Sequence, residues 1–235
     1  MENGEWRMEN SDNGKVNLHS AFAIYMPKRY TPNDKWSQKA QSEGYRARSV
    51  YKLMALDERF SLVKPGMNVV DLGAAPGSWL QYVAEKCRMQ TGECRIIGVD
   101  LQAIEPIDGV ETFVGDIADK EAIEQIFYTC FNSAQHDKKC VDLLLSDLAP
   151  KTSGIKDVDQ WKSIELSQAV LAIANRWLKP NGTVVLKVLR GADFDAFLAE
   201  LKQSWKSVKI AQVEASRDRS REVYLILDGN RCDRR

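Results

Sequence analysis

From about residue 44 onward, short runs of Val, Ile and Leu alternate with longer segments whose apolar residues recur every three or four positions. The first rhythm predicts strands and the second predicts helices. "YRARSVYKLMALDERF" (45–60) reads as a helix, and "LVKPGMNVVDLG" (62–73) as a turn at Lys64–Gly66 followed by a strand. "GSWLQYVAEKC" (77–87) is a helix with Trp79, Leu80, Val83, Ala84 and Cys87 on one side. "CRIIGVD" and "GVETFVGD" are strands ending at Asp100 and Asp116, and "DKEAIEQIFYTCF" (119–131) is a helix striped by Ile123, Ile126, Phe127 and Cys130. "CVDLLLSD" is a strand ending at Asp147. A helix over 159–178 follows, with Leu166, Val170, Ile173 and Trp177 inward, stopped by Lys179-Pro180-Asn181-Gly182. "TVVLKVL" (183–189) is a strand, and a helix carries Phe194, Phe197, Leu198, Leu201 and Trp205. "SVKIAQVEA" and "EVYLIL" close the chain as two strands with no helix between them.

Strands alternating with helices predict an α/β fold, a mostly parallel sheet with helices on both faces. The last two strands, joined directly, predict a hairpin, so one strand near an edge should run antiparallel. That accounts for seven strands. Residues 1–32 read as a loosely attached extension and 33–235 as a single domain.

In such sheets ligands bind outside the carboxyl ends of the strands. Asp71, Asp100, Asp116, Asp147 and Lys187 fall at or near those ends. One such acid is ordinarily a turn or cap residue; several toward one edge suggest a site. Lys187 poses its own question, because the surrounding run is as apolar as a strand buried on both faces.

The first strand runs into "DLGAAPGSW" (71–79), where Gly73, Ala74, Ala75 and Gly77 are small enough for a ligand to approach the backbone and Pro76 stiffens the loop. The loop is neither Gly-x-Gly-x-x-Gly nor a P-loop, which disfavours a dinucleotide or a triphosphate. Asp100 is placed to accept hydrogen bonds from ribose hydroxyls. An adenosine whose tail carries no phosphate fits, and S-adenosylmethionine is such a molecule. "SDLAP" (146–150) is not the Asn/Asp-Pro-Pro-aromatic pattern of base-amine methylation, and no Pro-Cys pair exists for attack on cytosine C5. Attack by an oxygen remains, and a ribose hydroxyl would need a base or a charge to steady the developing alkoxide.

The formal net charge is zero but unevenly spread. Residues 25–52 carry seven basic and two acidic side chains, a net of +5; residues 202–235 carry nine and five, a net of +4. Residues 100–147 carry eleven acidic and three basic, a net of −8. The two basic ends read either as solvated faces or as a surface for a polyanion. Five cysteines without a Cys-x-x-Cys pair, and two histidines next to none of them, predict reduced thiols in a cytoplasmic protein and no metal site. No apolar run approaches the length of a membrane span, and the polar N-terminus lacks a secretory pattern.

Taken together, "YRARSVYKL", "KPGMNVVDLGAAPGSW", "GVDL", "GDI", "LLLSDLAPKTSG", "VVLKVLRG" and "ASRDRSREVYLI" resemble the FtsJ/RrmJ family over residues 33–229. The resemblance implies a Rossmann-like methyltransferase fold and S-adenosylmethionine-dependent 2′-O-methylation of ribose in large-subunit (23S) ribosomal RNA, with a uridine as target. It implies a catalytic tetrad of Lys52, Asp147, Lys187 and Glu222. It implies cofactor contacts at Gly73, Ala75, Pro76, Gly77, Trp79, Asp100, Asp116 and Asp147, with Ser78 where relatives commonly carry glycine. Lys187 would accept the hydroxyl proton or steady the oxyanion, with Asp147 orienting its amine. Arg46, Arg48, Arg217, Arg219 and Arg221 would grip RNA phosphates, and Tyr30 or Trp36 would stack on a base. A monomer bound to no membrane is expected. Transfer RNA or messenger-cap ribose as substrate, and a non-catalytic RNA-binding assembly factor, are the rival readings.

Overall fold

The computed structural model describes residues 35–90, 93–131, 139–151, 153–214 and 221–231. The expected extension at 1–32 lies outside them, as do Tyr30, Arg217 and Arg219. In chain order the elements are α1 (Lys35–Ser42), α2 (Val50–Phe60), β1 (Asn68–Leu72), α3 (Ser78–Met89), β2 (Arg95–Asp100), β3 (Val110–Val114) and α4 (Lys120–Phe131). There follow β4 (Val141–Ser146), α5 (Lys156–Trp177), β5 (Leu178–Leu189), α6 (Phe194–Ser204), β6 (Trp205–Ala211) and β7 (Glu222–Asn230).

The seven strands form one sheet in the order β3-β2-β1-β4-β5-β7-β6. β7 runs antiparallel to both neighbours, and the pairs among β3, β2, β1, β4 and β5 are parallel. The mixed sheet with one reversed strand next to an edge is the one the alternation predicted. Side chains alternate between its faces. Val70, Leu72, Leu144, Val184, Leu186, Val223 and Leu225 join the core beneath α4, α5 and α6. Val69, Leu143, Leu145, Val185, Tyr224 and Ile226 join the core beneath α2 and α3. Lys187 has the parity of Val185, and Glu222 that of Tyr224, so both belong to the face that α2 covers.

Several boundaries differ from the sequence reading. The helix expected from 45 begins at Val50, after irregular chain at 45–49. α5 starts at Lys156, and β5 begins directly at Leu178 rather than after a turn at 179–182. An irregularity between Val141 and Leu143 lets Leu178 pair with Val141 ahead of the main register. Trp205, expected on a helix, opens β6 and is buried there. β3 stops at Val114, two residues before Asp116.

The expectation of reduced thiols fails at Cys87 and Cys94, which form a disulfide between the end of α3 and the approach to β2 with Cα atoms 6.0 Å apart. That pairing depends on a helix and a strand returning to one spot. Spacing along the chain does not reveal it. Cys130 and Cys140 are free, and burial raises both thiol pKa values to about 11. No helix among the described residues is long and apolar enough to cross a membrane.

Candidate active site

The glycine loop leaves β1 at Leu72 and enters α3 at Ser78. Gly73 has φ +78°, and a Cβ there would stand 2.3 Å from Leu148 Cδ2, so only glycine lets the loop lie against the β4 strand end. Gly77, at φ +102°, caps α3, and a Cβ there would press on Ile107 and Arg46. The Ala75–Pro76 peptide bond is cis. Asp100 holds this loop from the neighbouring strand: one carboxylate oxygen accepts from Ala75 N at 2.9 Å and the other from Gln102 N at 2.8 Å. Each oxygen keeps lone-pair capacity for a further donor. Asp116 is exposed, accepts from Ala118 N at 2.9 Å, and follows Gly115, whose N–H donates to Asp100 O.

Asp71 lies below this edge, 2% exposed, and its Oδ1 has no hydrogen-bond partner. Burial, followed by the nearby charges of Asp147 and Asp100, raises its carboxyl well above the usual range. The carboxylates of Asp100 and Asp116 beside a loop of small residues repel a phosphate and suit a ligand with positive charge on an uncharged nucleoside. S-adenosylmethionine, with a sulfonium and an ammonium, meets that description. Leu101, beside Asp100, is 69% exposed.

Next to this cleft the four tetrad residues converge. Antiparallel pairing sets Glu222 opposite Leu189 and Tyr224 opposite Lys187. Lys187 Nζ lies 3.0 Å from Asp147 Oδ1, 2.5 Å from the Asp147 carbonyl and 3.8 Å from Glu222 Oε1. Lys52, reaching down from α2, lies 3.3 Å from both Glu222 oxygens and 3.8 Å from Asp147 Oδ1. Two amines and two carboxylates thus alternate in one cluster. Its polar groups explain how a lysine is tolerated in an otherwise apolar strand.

Sequence reasoning missed Tyr224. The residue is fully buried, and its hydroxyl donates to Asp147 Oδ1 at 2.6 Å. Burial, then the Asp147 charge and hydrogen bond, raise the phenol well above its ordinary pKa, so it remains a donor. Its position two residues after Glu222 on a strand, hence on the same face, was the available signal. Trp79 is buried and donates its indole N–H to Ser49 O at 2.8 Å, so its ring packs between α2 and β7 rather than lining the cleft.

Arg46 serves a different purpose from the one expected. Its guanidinium donates to the carbonyls of Pro76 (3.1 Å), Glu105 (2.7 Å) and Pro106 (2.9 Å), tying the glycine loop to the segment after β2. A fork so engaged braces the glycine loop. Trp36 packs against Tyr51 at 5.1 Å between ring centroids, with the ammonium groups of Lys35 and Lys39 within 6 Å of its ring.

A model of the FtsJ-like methyltransferase family matches residues 45–230. The chain belongs to that family. Among relatives of the FtsJ-like chain, one from Methylobacillus flagellatus is 41% identical over 194 residues, covering 83% of this chain and 89% of that protein. One from Methanothrix thermoacetophila is 44% identical, covering 82% and 71%. Each is named ribosomal RNA large subunit methyltransferase E. Among solved structures, a putative ribosomal RNA methyltransferase from Plasmodium falciparum superposes with a TM-score of 0.69 at 28% identity, covering 79% of this chain and 98% of that one. Human methyltransferase-like protein 13, solved with S-adenosylhomocysteine, has a TM-score of 0.54 at 14% identity, covering 76% and 82%, and shares the fold.

Proposed function

We propose that residues 33–235 form one methyltransferase domain that acts as a monomer in the cytoplasm. It would move a methyl group from S-adenosylmethionine to a ribose 2′-hydroxyl, at a uridine of large-subunit ribosomal RNA. The observation that carries this reading is the meeting of Lys52, Asp147, Lys187 and Glu222 within 4 Å contacts beside the glycine loop. The relatives' names support ribosomal RNA over transfer RNA or a messenger cap. The Cys87–Cys94 disulfide stands against the cytoplasmic part of this reading, since such bonds are rare in a reducing compartment.

Bound S-adenosylmethionine supplies an electrophilic methyl group on a sulfonium that departs as a neutral thioether. The loop from Gly73 to Gly77 and the acids Asp100 and Asp116 would hold the nucleoside, with the Asp147 carboxylate toward the cationic end. At the tetrad, Lys52, Asp147, Lys187 and Glu222 would surround the ribose hydroxyl that accepts this methyl group. The hydroxyl proton passes to the Lys187 amine. With Lys187 already an ammonium, the proton passes instead to Asp147 or Glu222 while the cation steadies the oxygen. Both routes require an amine at this point, fixed by the Asp147 carboxylate and carbonyl. Lys52 balances the two acids, and alignment of the two substrates supplies much of the remaining acceleration.

Lys187→Ala tests the reading. Transfer of labelled methyl to ribosomal RNA should fall by about 10²–10⁴-fold, the contribution of a positioned acid–base group, while cofactor affinity stays within a few-fold. Lys187→Arg should fail as well, since a planar fork neither replaces a single nitrogen nor deprotonates. Wild-type turnover in the alanine variant would refute the role.

A further inference from the structure

The N-cap and first turns of α5 carry three large apolar side chains facing solvent: Ile155 (61% exposed), Val158 (37%) and Trp161 (56%). Their spacing of three puts them along one side of the helix start. The opposite side is held in place. Gln160 and Ser163 are buried, Ser163 Oγ accepts from Leu189 N at 3.0 Å, and Gln160 packs so closely on Gly191 that a Cβ there would meet its Cγ at 2.4 Å. Arg221 Nη2 donates to Lys156 O at 3.3 Å. Arg221 directly precedes Glu222, and Leu189 is the partner of Glu222 across the sheet. The stripe is therefore braced to the strand ends that supply the tetrad, and it borders the mouth of that site.

Its surroundings are basic. Lys151 and Lys156 are exposed, Lys162 is partly exposed, and Arg190 and Arg221 stand at the adjoining strand ends. The acids close by are the exposed Asp157 and Glu165 and a buried Asp159 that accepts from Ser153. Apolar and aromatic surface ringed by cations suits a single-stranded nucleic acid, whose bases stack and whose phosphates need counter-charge. An apolar protein partner would not call for the cations.

We infer that Trp161, flanked by Ile155 and Val158, is a stacking platform for a nucleobase next to the nucleotide whose ribose enters the tetrad. This rests on the reading of the protein as an RNA methyltransferase. The platform holds an unpaired base, while Lys151, Lys156 and Arg221 take the phosphates on either side of it. It thereby favours an acceptor whose neighbouring base is unstacked over a continuous duplex.

The test uses the full chain and a fluorescent single-stranded RNA of about a dozen nucleotides, within the site sizes of single-strand binders. Trp161→Ala should weaken binding by about tenfold, within the range for losing one stacked base, with cofactor affinity unchanged as the check on folding. Trp161→Phe should restore most of the affinity, which a purely structural role or a lost charge would not predict. Quenching of tryptophan emission by the RNA should be smaller in Trp161→Phe than in the wild type. Equal RNA binding by the alanine variant and the wild type overturns the platform while leaving the methyltransferase reading intact. Failure of the wild type to bind any RNA overturns both. Loss of binding to assembled subunits without loss of binding to free RNA assigns the stripe to a protein partner and also overturns the inference.

Discussion

Two aspartates in this protein keep nearly the same company. Asp57 on α2 accepts from the Tyr82 hydroxyl at 2.7 Å, from Val63 N at 2.9 Å, and pairs with Lys86. Asp147 accepts from the Tyr224 hydroxyl at 2.6 Å and pairs with Lys187 and Lys52. Their exposures are inverted. The Asp57 side chain is sealed at 0% while Lys86 keeps 22% of its surface in solvent, as a long cation does when its stem packs and its head stays wet. At the other cluster Lys52 and Lys187 are sealed at 9% and 5%, and the openings lie over Asp147 and Glu222 at 20% and 19%. The first arrangement holds a helix to its neighbour. The second confines two amines behind two carboxylates, where an incoming hydroxyl can meet both kinds of group at once. Side-chain identity does not separate a scaffold from a site here; the direction in which the cluster opens does.

Removing the two acids should break the comparison most sharply. Asp147→Ala should abolish methyl transfer within the sensitivity of a labelled-methyl assay while the protein still unfolds cooperatively. Asp57→Ala should cost about 3–5 kcal/mol in urea unfolding, the range for stranding one partner of a buried ion pair, with turnover per folded molecule close to wild type. If the Asp57 variant lost turnover at unchanged stability, the distinction would be wrong.

The tyrosines sharpen it at smaller scale. Tyr224→Phe removes one hydrogen bond to a charged group, of order 1.5–3 kcal/mol, and should lower turnover by roughly tenfold or more through a disoriented Asp147. Tyr82→Phe removes the equivalent bond to Asp57 and should appear in the unfolding midpoint alone. Steady-state kinetics and denaturation on the same two proteins check both.

The smallest effect concerns Asp71, the buried acid with an unpartnered oxygen. Its folded pKa is raised, so the stability it permits is complete below the unfolded value of about 3.9 and declines as pH rises toward the folded one. Asp71→Asn escapes that decline. Its stability relative to wild type should therefore grow as pH rises above about 4, read as a widening gap in urea midpoints. A gap that shrank with pH would reverse the sign argument.

Much of this was legible before the structure. The strands announced themselves by β-branched runs, and the hairpin at the end required only the missing helix between "SVKIA" and "EVYLIL". The tetrad followed from motif resemblance, and the antiparallel pairing that sets Glu222 opposite Leu189 shows how its members meet. Other features were not readable because they depend on partners chosen in three dimensions. Arg46 reads as a phosphate contact until Glu105 and Pro106 are seen to turn their carbonyls toward it. Trp36 and Trp161 are equally plausible stacking residues in sequence, and only packing shows that the first is covered by Tyr51 and two lysines while the second faces solvent. Leu178 opens a strand against helix-stop signals at 179–182 because Val141 is there to pair with it.

The position of β7 carries a consequence for the newborn chain. It lies between β5 and β6, both of which precede it in sequence. A polypeptide halted before Glu222 would expose the long edge of β5 and leave β6 without its neighbour in the sheet. Three of the four reactive groups would already have been synthesised, yet they would lack the fourth. Competence to modify a nucleic acid therefore arrives in a single late event, when the last strand slots into a gap that the earlier ones have framed.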